Sequence, residues 1–171
     1  NKTILPSTIT VIALSVLMIS QANAINNQVN LKESKVMAKY DEQYRPQFHF
    51  TPMKNWMNDP NGLIYLDGEY HLFYQHNPFG TSWGHMSWGH AVSKDMLRWK
   101  ELPVAIPEGE DEAIFSGSAV YDKDNTSGLG TAKNPPLVAI YTAHSDARKI
   151  QAQSIAFSLD KGRTFTKYKN N

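Results

Sequence analysis

The chain has no cysteine among its 171 residues. That excludes a disulfide framework and any thiolate metal site, so the core must stand without covalent staples. It also lacks a charge excess. Seventeen basic residues face 16 acidic ones. Lys2 is the only charge in the first 24 positions, so the remainder is balanced at 16 against 16. No basic patch or stripe stands out, which argues against a nucleic-acid partner. Long apolar runs are missing too. The longest, 9–19, is too short to span a bilayer, and the small-x-small triplet Ala22-Asn23-Ala24 follows it. Residues 1–24 therefore read as a signal peptide. Residues 25–43, polar and without a clear period, read as a linker. The expected location is secreted or periplasmic, with no stable membrane insertion after cleavage. Metal-ligand spacing is absent as well. His71, His76, His85, His90 and His144 form no His-Glu-x-x-His pattern. The Asp122-Lys123-Asp124-Asn125 loop continues with Thr126 and Ser127 where a calcium loop needs Asp or Asn and then Gly. No metal and no cofactor is expected.

What is present is aromatic and β-forming. Four Trp, eight Tyr and seven Phe suit a neutral, polyhydroxylated ligand better than a charged one. From Phe48 onward, short β-type runs alternate with turn residues. Strands are expected at 62–66 and 69–75 around the hairpin signal Asp67-Gly68, then at 87–93 and at 98–102, the last closed by Pro103. A second set follows at 115–121, 137–144, 150–158 and 164–168. Ser93-Lys94-Asp95 with Trp99-Lys100 echoes Ser158-Leu159-Asp160 with Phe165 and Lys167, 65 residues later. Residues 158–165 also look like the Asp-box hairpin of propeller glycosidases. A unit of four short strands suits either a β-sandwich or a β-propeller blade. The repeat favours the propeller.

Four motifs carry the chemistry: Trp56-Met57-Asn58-Asp59-Pro60-Asn61-Gly62, Tyr74-Gln75-His76-Asn77-Pro78, Trp88-Gly89-His90-Ala91-Val92-Ser93-Lys94-Asp95 and Phe115-Ser116-Gly117-Ser118. Taken alone, Asp59-Pro60-Asn61-Gly62 is a turn: Asp caps it, Pro sets φ, and Asn-Gly tolerates positive φ. Taken together and in this order, the four resemble glycoside hydrolase family 32, the invertases, inulinases and levanases that cleave β-fructosides. The resemblance covers residues 44–171. It implies an all-β fold, a five-bladed β-propeller followed by a β-sandwich, of which this chain would hold about the first two blades as the incomplete N-terminal part of the catalytic domain. It implies a retaining double displacement on terminal β-D-fructofuranosyl units of levan, inulin or sucrose. In retaining enzymes two carboxyl groups stand about 5–5.5 Å apart, and one attacks the anomeric carbon directly.

By the same resemblance Asp59 is the nucleophile. Gln75 would bind fructose hydroxyls, Trp83 would form an aromatic wall, Phe115 and Ser116 would line the pocket, and Trp56 and Asn58 would shape it. Each has a plainer reading. Gln75 could simply end a strand, and a lone Trp or Phe is more often packing. The acid of the family sits in a Glu-Cys motif, and an Arg-Asp-Pro motif grips the sugar. Neither occurs here, so the acid is expected beyond Asn171 and the chain alone is expected to be inactive. Glu108, Glu110, Asp111 and Glu112 read as a solvated loop, Tyr141 and Trp88 as core. Two alternatives stay open: a fructosyltransferase, and a non-catalytic propeller that only binds fructan.

Overall fold

The computed structural model describes residues 40–171. The signal-peptide reading of 1–24 and most of the linker reading lie outside them. Tyr44–Asn171 forms one compact unit, and among the described residues no helix is long and apolar enough to cross a membrane.

Eight strands build two antiparallel sheets of four, each in simple sequential order. The first holds β1 (Met57–Leu66), β2 (Glu69–His76), β3 (Ser87–Ser93) and β4 (Trp99–Ile106). The second holds β5 (Ala113–Tyr121), β6 (Leu137–Ser145), β7 (Ile150–Ser158) and β8 (Thr166–Lys167). These are two propeller blades, and each of the eight expected strands is found. Six differ in extent, β1, β4 and β8 the most. β1 begins at Met57, so Asp59-Pro60-Asn61-Gly62 is strand and not turn. Two register shifts, between Met57 and Pro60 and between Asn61 and Ile64, absorb what the sequence suggests is a reversal. Pro60 is tolerated because β1 is an edge strand and lies at an irregularity, and Gly62 takes the positive φ of 49°. β4 runs through Pro103 to Ile106. It too is an edge strand, and its register with β3 shifts between the Trp88 and His90 pairings, where Pro103 sits. β8 is only two residues long.

Period-2 alternation divides the apolar residues between two clusters. Phe73, Trp88 and Ile106 of the first sheet pack with Ile114, Leu137, Ala139, Tyr141 and Ala156 of the second. Tyr141 and Trp88 are fully buried there, as the sequence suggests. Leu72, Tyr74 and Ala91 face the opposite side of the first sheet under Phe50, Met57 and Trp99. The blade-to-blade face also buries a histidine pair, with His71 Nδ1 3.0 Å from His90 Nε2. Burial, then the neighbouring His71 and Arg163, pull the His90 pKa down to about 3, and burial lowers that of His71 as well.

Three of the four carboxylates of 108–112 are held by partners and not freely solvated, while Glu110 is exposed. Glu112 accepts from the Tyr141 hydroxyl at 2.8 Å and from Lys167 Nζ at 2.6 Å. Asp111 accepts from the Ser145 hydroxyl at 2.7 Å, and Glu108 meets His85 Nδ1 at 2.7 Å. Glu112 and Asp111 are thus tied to β6, Glu112 also to β8, and Glu108 to the β2–β3 loop.

Candidate active site

The first strands of the two sheets run beside one another. Asn61 Oδ1 accepts from the Gly117 amide at 3.1 Å, and a Cβ on Gly62 would lie 3.0 Å from that of Ala119. Where they meet, both strands are bulged. On β1, Asn58 and Asp59 together stand opposite the single residue Gln75, between the Met57–His76 and Pro60–Tyr74 pairings. On β5, Phe115 and Ser116 stand opposite the single residue Thr142, between the Ile114–Ala143 and Gly117–Tyr141 pairings. A two-against-one bulge bends the strand and re-aims its side chains. Here it turns two short polar-aromatic pairs toward a common space.

That space is an open pocket of about 300 Å³ lined by Asn58, Asp59, Gln75, Trp83, Phe115, Ser116, Thr142 and Gln151. Six of these are residues that the family resemblance singles out. The Ser116 hydroxyl donates to Asp59 Oδ2 at 2.7 Å, a charge-assisted bond across the two blades. Gln75, 4% exposed, donates its Nε2–H to the Ile114 carbonyl at 2.9 Å, which fixes the amide against the neighbouring strand. The Trp88 indole N–H, buried beneath, holds the Phe115 carbonyl at 3.0 Å. Trp83, 63% exposed, stands on the β2–β3 loop with its ring 6.2 Å from that of Phe115. The loop is pinned by Asn77, whose side chain donates to the Ser82 carbonyl and accepts from the Phe79 amide.

Trp56 is not among the lining residues. Its backbone does the joining instead. The Trp56 amide donates to the Gly80 carbonyl at 3.0 Å, and its carbonyl accepts from the Asn77 amide at 3.1 Å and from His76 Nδ1 at 2.9 Å. Thus it ties the start of β1 to the loop that carries Trp83.

Thr142 and Gln151 reach the pocket without any signal in the motifs. Their only trace in the sequence is alternation: Thr142 and His144 on β6, and Gln151 and Gln153 on β7, put polar side chains on one sheet face. Among the described residues no group of three or more His, Asp or Glu is placed to hold a metal ion. The carboxylate of the Asp122 loop is taken up by its own turn. It accepts from the Ser127 and Thr126 amides, and the Ser127 amide leads the donors that draw its pKa down to about 2.

A family model described as the glycosyl hydrolases family 32 N-terminal domain matches residues 49–171. A levanase of Bacillus subtilis is 64% identical over 132 residues, which cover 77% of this chain and 19% of the levanase. An extracellular exo-inulinase of Aspergillus awamori is 52% identical over 145 residues, 75% of this chain and 27% of that protein. Among solved structures, a fructofuranosidase of Schwanniomyces occidentalis complexed with fructose superposes with a TM-score of 0.72 at 48% identity, covering 80% of this chain and 28% of that one. The chain thus spans roughly a fifth to a quarter of the curated relatives' length.

Proposed function

The chain belongs to glycosyl hydrolase family 32, and on that premise we propose that the full-length protein releases terminal β-D-fructofuranosyl units from fructan or sucrose with retention of configuration. Asp59 is the nucleophile. The observation that carries this reading is the pocket itself: one carboxylate, Asp59, lines it, surrounded by Asn58, Gln75 and Ser116 as hydroxyl-binding groups and by Trp83 and Phe115 as apolar walls. That mixture suits a neutral sugar, with few polar groups fixing orientation and ring faces shielding the reacting carbon from water.

In the first step Asp59 attacks the anomeric carbon of the fructosyl unit as an acid protonates the departing oxygen. A covalent fructosyl-enzyme results. In the second step the same acid residue, now a base, removes a proton from water, which displaces the carboxylate. Ser116 occupies Oδ2, so Oδ1 is the attacking oxygen. The acid is not among the pocket-lining residues. It comes from sequence outside these 171 residues, which span only 19–27% of the curated relatives.

Incubating the full-length protein with sucrose, inulin and levan, and following the first-formed product by NMR, tests this. Release of β-fructofuranose supports it. Inversion, or no release from any of the three, overturns it. A transferase would instead build longer saccharides. Export is part of the same proposal: the apolar run 9–19 and Ala22-Asn23-Ala24 place signal cleavage after Ala24. N-terminal sequencing of the mature protein should begin at Ile25, and a mature protein that retains residues 9–19 would refute it.

A further inference from the structure

We propose that Thr142 and Gln151, held by His144 and Gln153, form the subsite for the second sugar of the substrate, the unit joined to the fructosyl group through the leaving oxygen. The inference rests on the fructosidase reading and adds a site to it.

Thr142 is the second blade's counterpart of Gln75. Each is the single residue facing a two-residue bulge, Gln75 opposite Asn58-Asp59 and Thr142 opposite Phe115-Ser116. Gln75 therefore belongs to the nucleophile's end of the pocket and Thr142 to the other end. Across the second sheet the lining residues step outward, from Ser116 on β5 to Thr142 on β6 and Gln151 on β7. At about 4.8 Å per strand, Gln151 lies roughly 10 Å beyond Ser116 in the sheet plane. A single sugar ring placed with its anomeric carbon at Asp59 does not extend that far, whereas the next ring does.

These side chains are held ready rather than loose. In the β6–β7 ladder Thr142 faces Gln153 and His144 faces Gln151. Gln153 Nε2–H donates to the Thr142 hydroxyl at 2.8 Å, which leaves that hydroxyl its own proton to give. The His144 ring stacks on Phe115 at 4.8 Å and 12°. Its Nε2 faces Asp146 at 3.3 Å, and Nδ1 faces the Gln151 amide nitrogen at 3.4 Å. In the tautomer with the proton on Nε2, toward the carboxylate, Nδ1 accepts from Gln151, and the Gln151 carbonyl is turned away from His144. A hydroxyl donor and an amide carbonyl acceptor, both uncharged, match the alternating hydroxyls of a neutral sugar. The Phe115–His144 stack links this site to the wall of the fructosyl pocket.

The test uses the full-length protein and three variants, Thr142→Val, Gln151→Ala and the double variant. Substrates are methyl β-D-fructofuranoside, whose leaving group has no second ring, sucrose, and β-2,1- and β-2,6-linked difructosides. Loss of one hydrogen bond should lower kcat/KM on the two-ring substrates by roughly 3- to 10-fold, mainly through KM, with methyl fructoside within about twofold of wild type. The unchanged methyl fructoside rate also shows that the variants fold. Equal losses on all substrates would assign the residues to the fructosyl pocket, and no loss on any would leave them without a binding role. Either result overturns the proposal. A wild-type protein that cleaves none of the four substrates would instead refute the fructosidase reading, and the subsite with it.

Discussion

The two sheets bend their first strands at equivalent points and fill the bends with different chemistry. In β1 the bulge presents Asn58 and Asp59, opposite an amide, Gln75. In β5 it presents Phe115 and Ser116, opposite a hydroxyl, Thr142. One blade supplies the charge, and the other supplies an apolar wall and a donor. A side-chain bond from one bulge to the other, Ser116 to Asp59, joins the halves. A bulge suits this task because it bends the strand without releasing it, so the reacting group stays on a rigid element. The outer turns show a second pairing of like parts in unlike settings. Ser93 and Asp95 close the β3–β4 turn, and Ser158 and Asp160 close the β7–β8 turn, each Ser donating to its Asp. The first turn points to solvent. The second packs on the first sheet, where a Cβ on Gly162 would come within 3.3 Å of His71. Lys161 pairs with Asp67, and Arg163 with Glu69.

The sharpest way to break the first comparison is to remove each bulge's polar group in turn. In the full-length protein, Asp59→Asn keeps the side-chain shape but not the charge, and kcat should fall on the order of 10³-fold or more, about 4 kcal/mol of barrier. Ser116→Ala removes one hydrogen bond to that charge and should lower kcat/KM about 10-fold or somewhat more. Melting curves should stay close to wild type in both. Equal losses would mean that the carboxylate does not act as the nucleophile.

The glycines beside the bulges separate the blades next. A Cβ on Gly117 would sit 2.0 Å from the Ile140 carbonyl oxygen and 2.7 Å from the Tyr141 Cα. Backbone must move, so Gly117→Ala should destabilise by on the order of 3 kcal/mol and distort the Ser116 bulge. Gly62 has room for a Cβ only at 3.0 Å from Ala119 and Phe73 side-chain carbons, and its φ of 49° adds about 1–2 kcal/mol for any other residue. Urea denaturation of both variants gives the order. If Gly62→Ala proves the costlier, the β5 bulge is more pliable than its contacts indicate.

Neither bulge is legible in the sequence, although the residues in them are. An extra residue in a strand leaves no compositional mark, and Asp59-Pro60-Asn61-Gly62 has the local chemistry of a turn. Only pairing with β2, fixed by the burial of Phe73 and Tyr74, makes it strand. Alternation and turn residues locate the strands themselves, because half-buried sheets write their period into the chain. The motifs locate the Asp59 end of the pocket. Thr142 and Gln151 escape notice because they enter it through the register of β6 with β5 and β7, which local sequence does not encode. The ties of Glu112 to Tyr141 and Lys167 likewise join residues 29 and 55 positions apart.

The histidine pair distinguishes the blades by pH. Only the first sheet contributes it, and burial depresses the pKa of both members. A base with a depressed folded pKa binds fewer protons folded than unfolded. Stability is therefore full above the unfolded value of about 6.5 and falls as pH drops toward the folded value, which for His90 is about 3. Over that window His90 costs about 1.4 kcal/mol per pH unit at most. His90→Gln keeps a hydrogen-bonding group against His71 and should flatten the decline between pH 6.5 and 5, measured by melting temperature. An unchanged slope would place the pH dependence elsewhere.

The smallest effect comes from the two Ser-x-Asp turns. Both aspartates titrate below the ordinary carboxylate range. The Arg98 and Leu97 amides lead the causes at Asp95. At Asp160 partial desolvation opposes the shift, and the Ser158 and Thr164 hydroxyls outweigh it. For a depressed carboxylate the contribution is present above the unfolded pKa of about 4 and is lost as pH falls through the folded one. Both turns therefore act on the acid limb, below the range of the histidines. Asp160→Ala removes bonds to the Ser158 and Thr164 hydroxyls from a turn seated on the first sheet. It should lower stability at pH 7 by about 1 kcal/mol and soften the fall below pH 4. Asp95→Ala removes a similar set of bonds from a solvent-exposed turn, so its effect at pH 7 should be the lesser. Salt tells the two apart. Raising ionic strength should weaken the Lys161–Asp67 and Arg163–Glu69 pairs that accompany Asp160, narrowing the difference between the variants. A difference that persists in high salt would trace to the packing of Gly162 against His71, and an Asp95→Ala loss that exceeds the Asp160→Ala loss would mean that seating against the neighbouring blade adds nothing to this turn.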